Sequence, residues 1–118
     1  MAHRYIAIIA LALLAVQSTG SAALTVAQFS GICASAAGEC HEHPILQAYV
    51  GGALDMLAAL GEETAYIDKL YCKPPRELFD VPAIMRFMQA HQAGHAEDNA
   101  MRLVIRYFEE NGGCPNDE

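Results

Sequence analysis

PILQAYVGGALDMLAALG, residues 44 to 61, repeats its apolar side chains at helical spacing. Leu46, Val50, Ala53, Leu57 and Leu60 form one stripe, with Tyr49 and Leu54 beside it. Recurrence every three or four residues marks an amphipathic helix; a strand would alternate every second residue. Pro44 suits the first helical turn, and Gly61 reads as the stop. Gly51 and Gly52 lie inside the helix, where each costs about 1 kcal/mol relative to alanine. With Ala48, Asp55 and Ala59 they make one small-residue face, which implies close approach of another backbone. A neighbouring helix and a second subunit both fit. Asp55 is the one carboxylate well inside this apolar segment. It reads either as a solvent-facing residue or as a buried anchor for a neighbouring loop. No second carboxylate stands at useful spacing, so acid–base catalysis is not indicated.

Towards the N-terminus, Ala34 to His43 is small, polar and Gly-containing, and reads as a loop. Before it, Thr25 is a good N-cap for a short helix through Phe29 and Ile32 to Cys33. Residues 1–23 have the three parts of a cleavable signal peptide. Met1 to Tyr5 is short and basic, with Arg4. Ile6 to Val16 is an unbroken apolar run of eleven residues. Gln17 to Ala23 ends in Ser21-Ala22-Ala23, a small-x-small cleavage pattern. Eleven apolar residues are too few for a bilayer, which takes roughly 20. Residues 24–118 are then the mature domain, about 95 residues and the size of a single core.

Towards the C-terminus, Glu62 to Leu70 reads as a short helix carrying Tyr66, Ile67 and Leu70. Cys72-Lys73-Pro74-Pro75 is a rigid connector. Asp80 is an N-cap for a helix with Pro82 in its first turn and Val81, Ile84, Met85 and Met88 at helical spacing, Phe87 alongside. That pattern breaks at Gly94. A last helix is expected from Ala96 to Asn111, with Ala100, Met101, Val104, Ile105 and Phe108 facing the core. Glu97 and Asp98 complement its N-terminus, and Asp98 stands one turn before Arg102. Gly112-Gly113 ends it. No useful strand-like alternation occurs. The expected fold is all-α, a small four- or five-helix bundle stabilised by two disulfides.

The mature part, without Arg4, carries 6 Lys/Arg against 14 Asp/Glu, a net charge of −8. No basic patch exists to follow a phosphate backbone, so nucleic acid is a poor partner, and an acidic membrane surface is no better. Cys33, Cys40, Cys72 and Cys114 are an even set in a small exported domain, which most economically means two disulfides. Three pairings are possible. Cys33–Cys40 with Cys72–Cys114 is preferred, because the second bridge ties the chain end to its middle.

Catalytic signatures are missing: there is no G-x-S-x-G and no H-E-x-x-H. Cys40-His41 juxtaposes a thiol and a base, but bridged cysteines have no thiolate to offer. Ala37 stands where a c-type haem site needs cysteine. His41 and His43, with His91 and His95, are the best metal-ligand candidates, yet nothing in the pattern brings the two pairs together. Met85, Met88 and Met101 fall on core stripes and read as packing. No enzyme activity, cofactor or metal is expected.

Two short motifs carry a resemblance. Tyr49-Val50-Gly51-Gly52-Ala53-Leu54-Asp55 is similar to Y-[IV]-x-G-x-x-D, and Tyr71-Cys72-Lys73-Pro74 to aromatic-C-x-P. With Val81 to His91, a second amphipathic helix and a terminal Cys114-Pro115, the chain from Val26 to Pro115 resembles the Rap/Tai immunity proteins. These protect bacteria against type VI secretion amidase effectors. Leu46 stands where many members carry a cysteine, and Gln92-Ala93 where many carry Pro-Glu.

The resemblance implies a periplasmic, disulfide-bonded helical protein, often a homodimer, that catalyses nothing. It would insert a loop into the Cys–His cleft of a papain-like peptidoglycan amidase. The loop expected to do so is His91 to Asn99, with His91, Gln92, His95, Glu97 and Asn99 as the contact residues. Ala34 to His43 stands second, and Tyr49, Gly52 and Asp55 are the structural motif. Two other functions fit the residues: a periplasmic binding or chaperone-like module without a toxin partner, and a histidine-based metal-binding protein.

Overall fold

Thr25 starts the first described helix with a reciprocal cap. Its Oγ1 accepts from the Gln28 N–H at 3.1 Å, and the Gln28 Oε1 accepts from the Thr25 N–H at 2.9 Å. The helix so started is α1 (Val26–Ala34). The computed structural model describes residues 23–116, so residues 1–22, with nearly all of the expected signal peptide, lie outside the described residues. Within them, α1 is followed by α2 (Pro44–Glu63), α3 (Pro75–Leu78), α4 (Val81–Ala90) and α5 (Met101–Asn111). Two 3₁₀ turns, Cys40–Glu42 and Tyr66–Lys69, complete the order. Among the described residues, the one extended pairing is a single Thr25–Asn99 bridge. The fold is all-α, with disulfides Cys33–Cys40 and Cys72–Cys114.

α2 does not stop at Gly61. That glycine is absent from the positive-φ positions, so nothing there turns the chain. The helix ends at Thr64, whose backbone becomes extended while its N–H and hydroxyl both donate to the Leu60 carbonyl, at 2.8 and 3.0 Å. The predicted helix over Glu62 to Leu70 is shorter, the 3₁₀ turn Tyr66–Lys69; it buries Ile67 and leaves Tyr66 exposed.

α4 is the middle of the bundle. Asp80 caps it by accepting from the Ala83 N–H at 3.1 Å, and Ile84, Met85 and Met88 are fully buried. They pack among Leu46, Val50 and Leu54 of α2, Val26 and Phe29 of α1, and Val104 and Phe108 of α5, in one core cluster. No buried residue is polar or charged among the described residues.

α5 begins at Met101, not Ala96, because Ala96 to Ala100 is used to pair with the start of α1. Its inward face also differs from the expected one. Leu103 and Tyr107 join Val104 and Phe108 in the core, while Ile105 is 46% exposed. Tyr107 sets this phase: its ring meets Phe87 and Phe108 edge-on, and its hydroxyl donates to the Leu78 carbonyl at 3.3 Å. Burial, then the charge of Asp80, raises the Tyr107 phenol above its ordinary range.

The C-terminus is clamped where the connector passes it. The N–H groups of Cys72 and Lys73 donate to the Gly112 carbonyl at 2.9 and 2.8 Å, and Cys72–Cys114 closes the same junction. Tyr71, Phe79 and Phe108 pack there with ring centroids 5.2 to 5.8 Å apart. A Cβ at Gly112 would stand 2.8 Å from Tyr71 Cα. Gly112→Ala is therefore expected to cost about 1–3 kcal/mol by overpacking, a fall of several degrees in Tm by calorimetry. The 42-residue Cys72–Cys114 separation should be worth about 4 kcal/mol and the 7-residue Cys33–Cys40 separation about 2.4 kcal/mol. Denaturation of Cys72→Ser/Cys114→Ser beside Cys33→Ser/Cys40→Ser checks that order.

Candidate functional site

α4 runs out at Ala90, and His91 closes it. The His91 N–H donates to the Phe87 carbonyl, and so does its ring Nδ1, at 2.8 Å; a carbonyl only accepts, so Nδ1 carries the proton. The imidazole stacks on the Phe87 ring with centroids 3.9 Å apart. Gly94 then takes φ 81°, a left-handed turn that only glycine adopts cheaply. Two short turns follow, His95 N–H to the Gln92 carbonyl and Asp98 N–H to the His95 carbonyl, at 3.1 and 2.9 Å.

This loop is held by its backbone. The Ala96 and Asp98 carbonyls accept from the Ala27 and Val26 N–H groups of α1, at 3.0 and 2.9 Å. The Ala100 N–H donates to the Leu24 carbonyl at 2.8 Å, and Asn99 Oδ1 accepts from the Met101 N–H at 3.0 Å. Ala93 and Gly94 ahead of these anchors, and Ala96 and Glu97 among them, are exposed.

His95 Nδ1 meets Asp98 Oδ2 at 2.8 Å, and Arg102 reaches the other Asp98 oxygen at 3.7 Å. Asp98 thus pairs with Arg102 as expected, although it precedes the helix. A shallow recess of about 420 Å³ runs from this cluster along Arg106, Glu109 and Glu110.

The predicted contact residues therefore sit on one anchored loop, but with different roles. His91 and Asn99 are structural ends, His95 is an internal brace, and Glu97 is exposed. Gln92 is half-buried, and its Oε1 is the one buried side-chain acceptor without a hydrogen-bond partner among the described residues. Gln92 lines a recess of about 370 Å³ with Ser30, Gly38, Glu39 and Gln89. The two loops singled out in the sequence therefore share this recess.

His91 and His95 both lie outside the helix, so they are not a helical i, i+4 pair. His43 caps α2, its Nδ1 accepting from the Ile45 N–H at 3.3 Å. Among the described residues, no three His, Cys, Asp or Glu side chains converge as metal ligands. All four cysteines are bridged, which leaves no thiolate nucleophile. Asp55 is exposed, so it is not a buried anchor, while Tyr49 is half-buried, which raises its phenol pKa.

Comparison with family models, curated proteins and solved structures gives no match for this chain. The two disulfides are those of a protein that matures in an oxidising, extracytoplasmic compartment.

Sequence reasoning missed the anchoring of the loop to α1, because long-range backbone pairing leaves no side-chain signature. Replacing the brace, Asp98→Ala, should free the loop. The Val26 and Ala27 amides are then expected to exchange hydrogen roughly tenfold faster, a local cost of about 1.4 kcal/mol, read by exchange mass spectrometry or NMR.

Proposed function

We propose that this protein is a periplasmic immunity protein that binds a type VI secreted peptidoglycan amidase and blocks its active-site cleft with the His91 to Asn99 loop. The carrying observation is the loop's construction: an exposed turn that leaves α4 at His91, whose N–H bonds back to that helix, and is held on its C-terminal side by backbone hydrogen bonds to Leu24 and α1. A loop already ordered before binding loses little conformational freedom on entering a cleft, which favours inhibition. Two further features support the reading. The chain's disulfides suit the compartment where peptidoglycan is cut. Its motifs and their order resemble the Rap/Tai immunity proteins.

Within this reading Glu97 and the exposed Ala93-Gly94 turn lead into the cleft. The Ala34 to His43 loop, which borders the same recess through Gly38 and Glu39, rests against the cleft's rim. The acidic surface steers the protein towards a basic partner, which acts on the rate of encounter.

The test starts from the neighbouring reading frames: this reading expects one of them to encode a secreted peptidoglycan amidase, which the purified protein should inhibit. Replacing Gln92 to Glu97 by a Gly/Ser loop should weaken inhibition about a hundredfold or more, some 2.7 kcal/mol. Unchanged inhibition by the loop variant would remove the loop assignment. No inhibition by the parent protein would remove the immunity reading.

A further inference from the structure

The recess of about 370 Å³ beside Gln92 gathers hydrogen-bond acceptors, and none of its lining side chains is basic. One wall is the C-terminal end of α1, with Ser30, Cys33 and Ala34. Another is the last turn of α4, with Gln89, and Glu39 of the neighbouring loop closes the third side.

Two helices therefore end at one place. The carbonyl end of a helix carries a partial negative charge, which a cation in or beside the last turn offsets. Neither last turn contains Lys, Arg or His. The final carbonyls of a helix also need donors from outside it. His91 covers that of Phe87, but those of Gln89 and Ala90 receive no donor among the described residues, and neither does that of Ala34. Gln92 Oε1 is in the same condition and is buried. A buried acceptor without a partner carries a penalty that an incoming donor removes.

The acceptor set selects the donor. Glu39 supplies one carboxylate, exposed and in no ion pair among the described residues. The two glutamine amides and the Ser30 hydroxyl add neutral oxygens. A metal ion is poorly matched to one carboxylate, and no three ligating side chains converge among the described residues. An ammonium is a strongly hydrated point charge, whereas a guanidinium is weakly hydrated and spreads five N–H donors over a planar fork. Such a fork serves several acceptors around one shallow recess. The net charge of −7 also draws a cationic partner towards the protein.

We propose that this recess receives an arginine side chain of a partner protein, its guanidinium donating to Gln92 and Glu39 between the ends of α1 and α4. Under the immunity reading that arginine belongs to the rim of the amidase cleft; this placement, though not the site, rests on that reading. The probe is N-acetyl-arginine amide, titrated into the oxidised, isotope-labelled protein and followed by NMR. The Gln89 and Gln92 side-chain amides and the Ser30 backbone amide should shift together, saturating with a dissociation constant of about 1–10 mM. N-acetyl-citrulline amide, nearly the same shape without the charge, should bind at least about tenfold more weakly. Gln92→Leu and Glu39→Gln should each weaken binding of the arginine probe about five- to tenfold, with circular dichroism unchanged. Four results would overturn the proposal: no saturable shift by about 100 mM probe, citrulline binding as tightly as arginine, binding that either substitution leaves unchanged, or displacement of the probe by calcium chloride. Probe binding without inhibition of the amidase would keep the site and remove the immunity reading; inhibition without probe binding would do the reverse.

Discussion

Ile84, Met85 and Met88 have no accessible surface, and this complete burial of α4 is what the remaining elements are arranged around. A ten-residue helix can hide three large side chains only if it is covered from several directions. Here α2, α5 and the Cys40–Glu42 turn supply the cover. Burying one such side chain contributes roughly 1.5–3 kcal/mol, so the three outweigh any single hydrogen bond in the domain. Both ends of α4 are then fixed by its own side chains, Asp80 at the start and His91 at the finish. The loop leaving His91 inherits that position.

From His91 an almost unbroken line of rings runs through Phe87, Tyr107 and Phe108 to Tyr71 and Phe79. Neighbouring centroids lie between 3.9 and 5.8 Å apart, the range in which aromatic pairs add to simple burial. The line joins the loop end of the domain to the Cys72–Cys114 junction. The long-range disulfide therefore braces the same packing that seats the loop.

The helices were legible wherever burial and local chemistry agreed. Asp80, Thr25 and Pro44 mark their helix starts because a cap or a first-turn proline acts within three residues. Ile84, Met85 and Met88 follow a stripe that tertiary packing merely completes. The start of α5 was not legible: Glu97 and Asp98 look like a helical first turn, but their backbone is committed to α1, a partner some seventy residues away in sequence. The same shift hid Leu103 and Tyr107, whose inward phase goes with the packing of Tyr107 on Phe87 of α4. Gly61 misled in the opposite sense. A glycine ends a helix when it turns left-handed, and here the stop belongs to Thr64. In the candidate site, the loop could be located from Gly94 and the two histidines, whereas its rigidity could not.

That rigidity bears on how such a site could vary. The first amides of a helix have no partner within it. In α1, Val26 and Ala27 give theirs to loop carbonyls, and Gln28 gives its own to Thr25. Loop and helix therefore satisfy each other through backbone alone, and neither is indifferent to losing the other. Side chains at Ala93, Ala96 and Glu97 take no part in that exchange and point to solvent. They can change without disturbing the frame, whereas Gly94 must keep its left-handed turn. In the proposed binding role, a loop built this way would separate the residues that choose a partner from those that hold the shape.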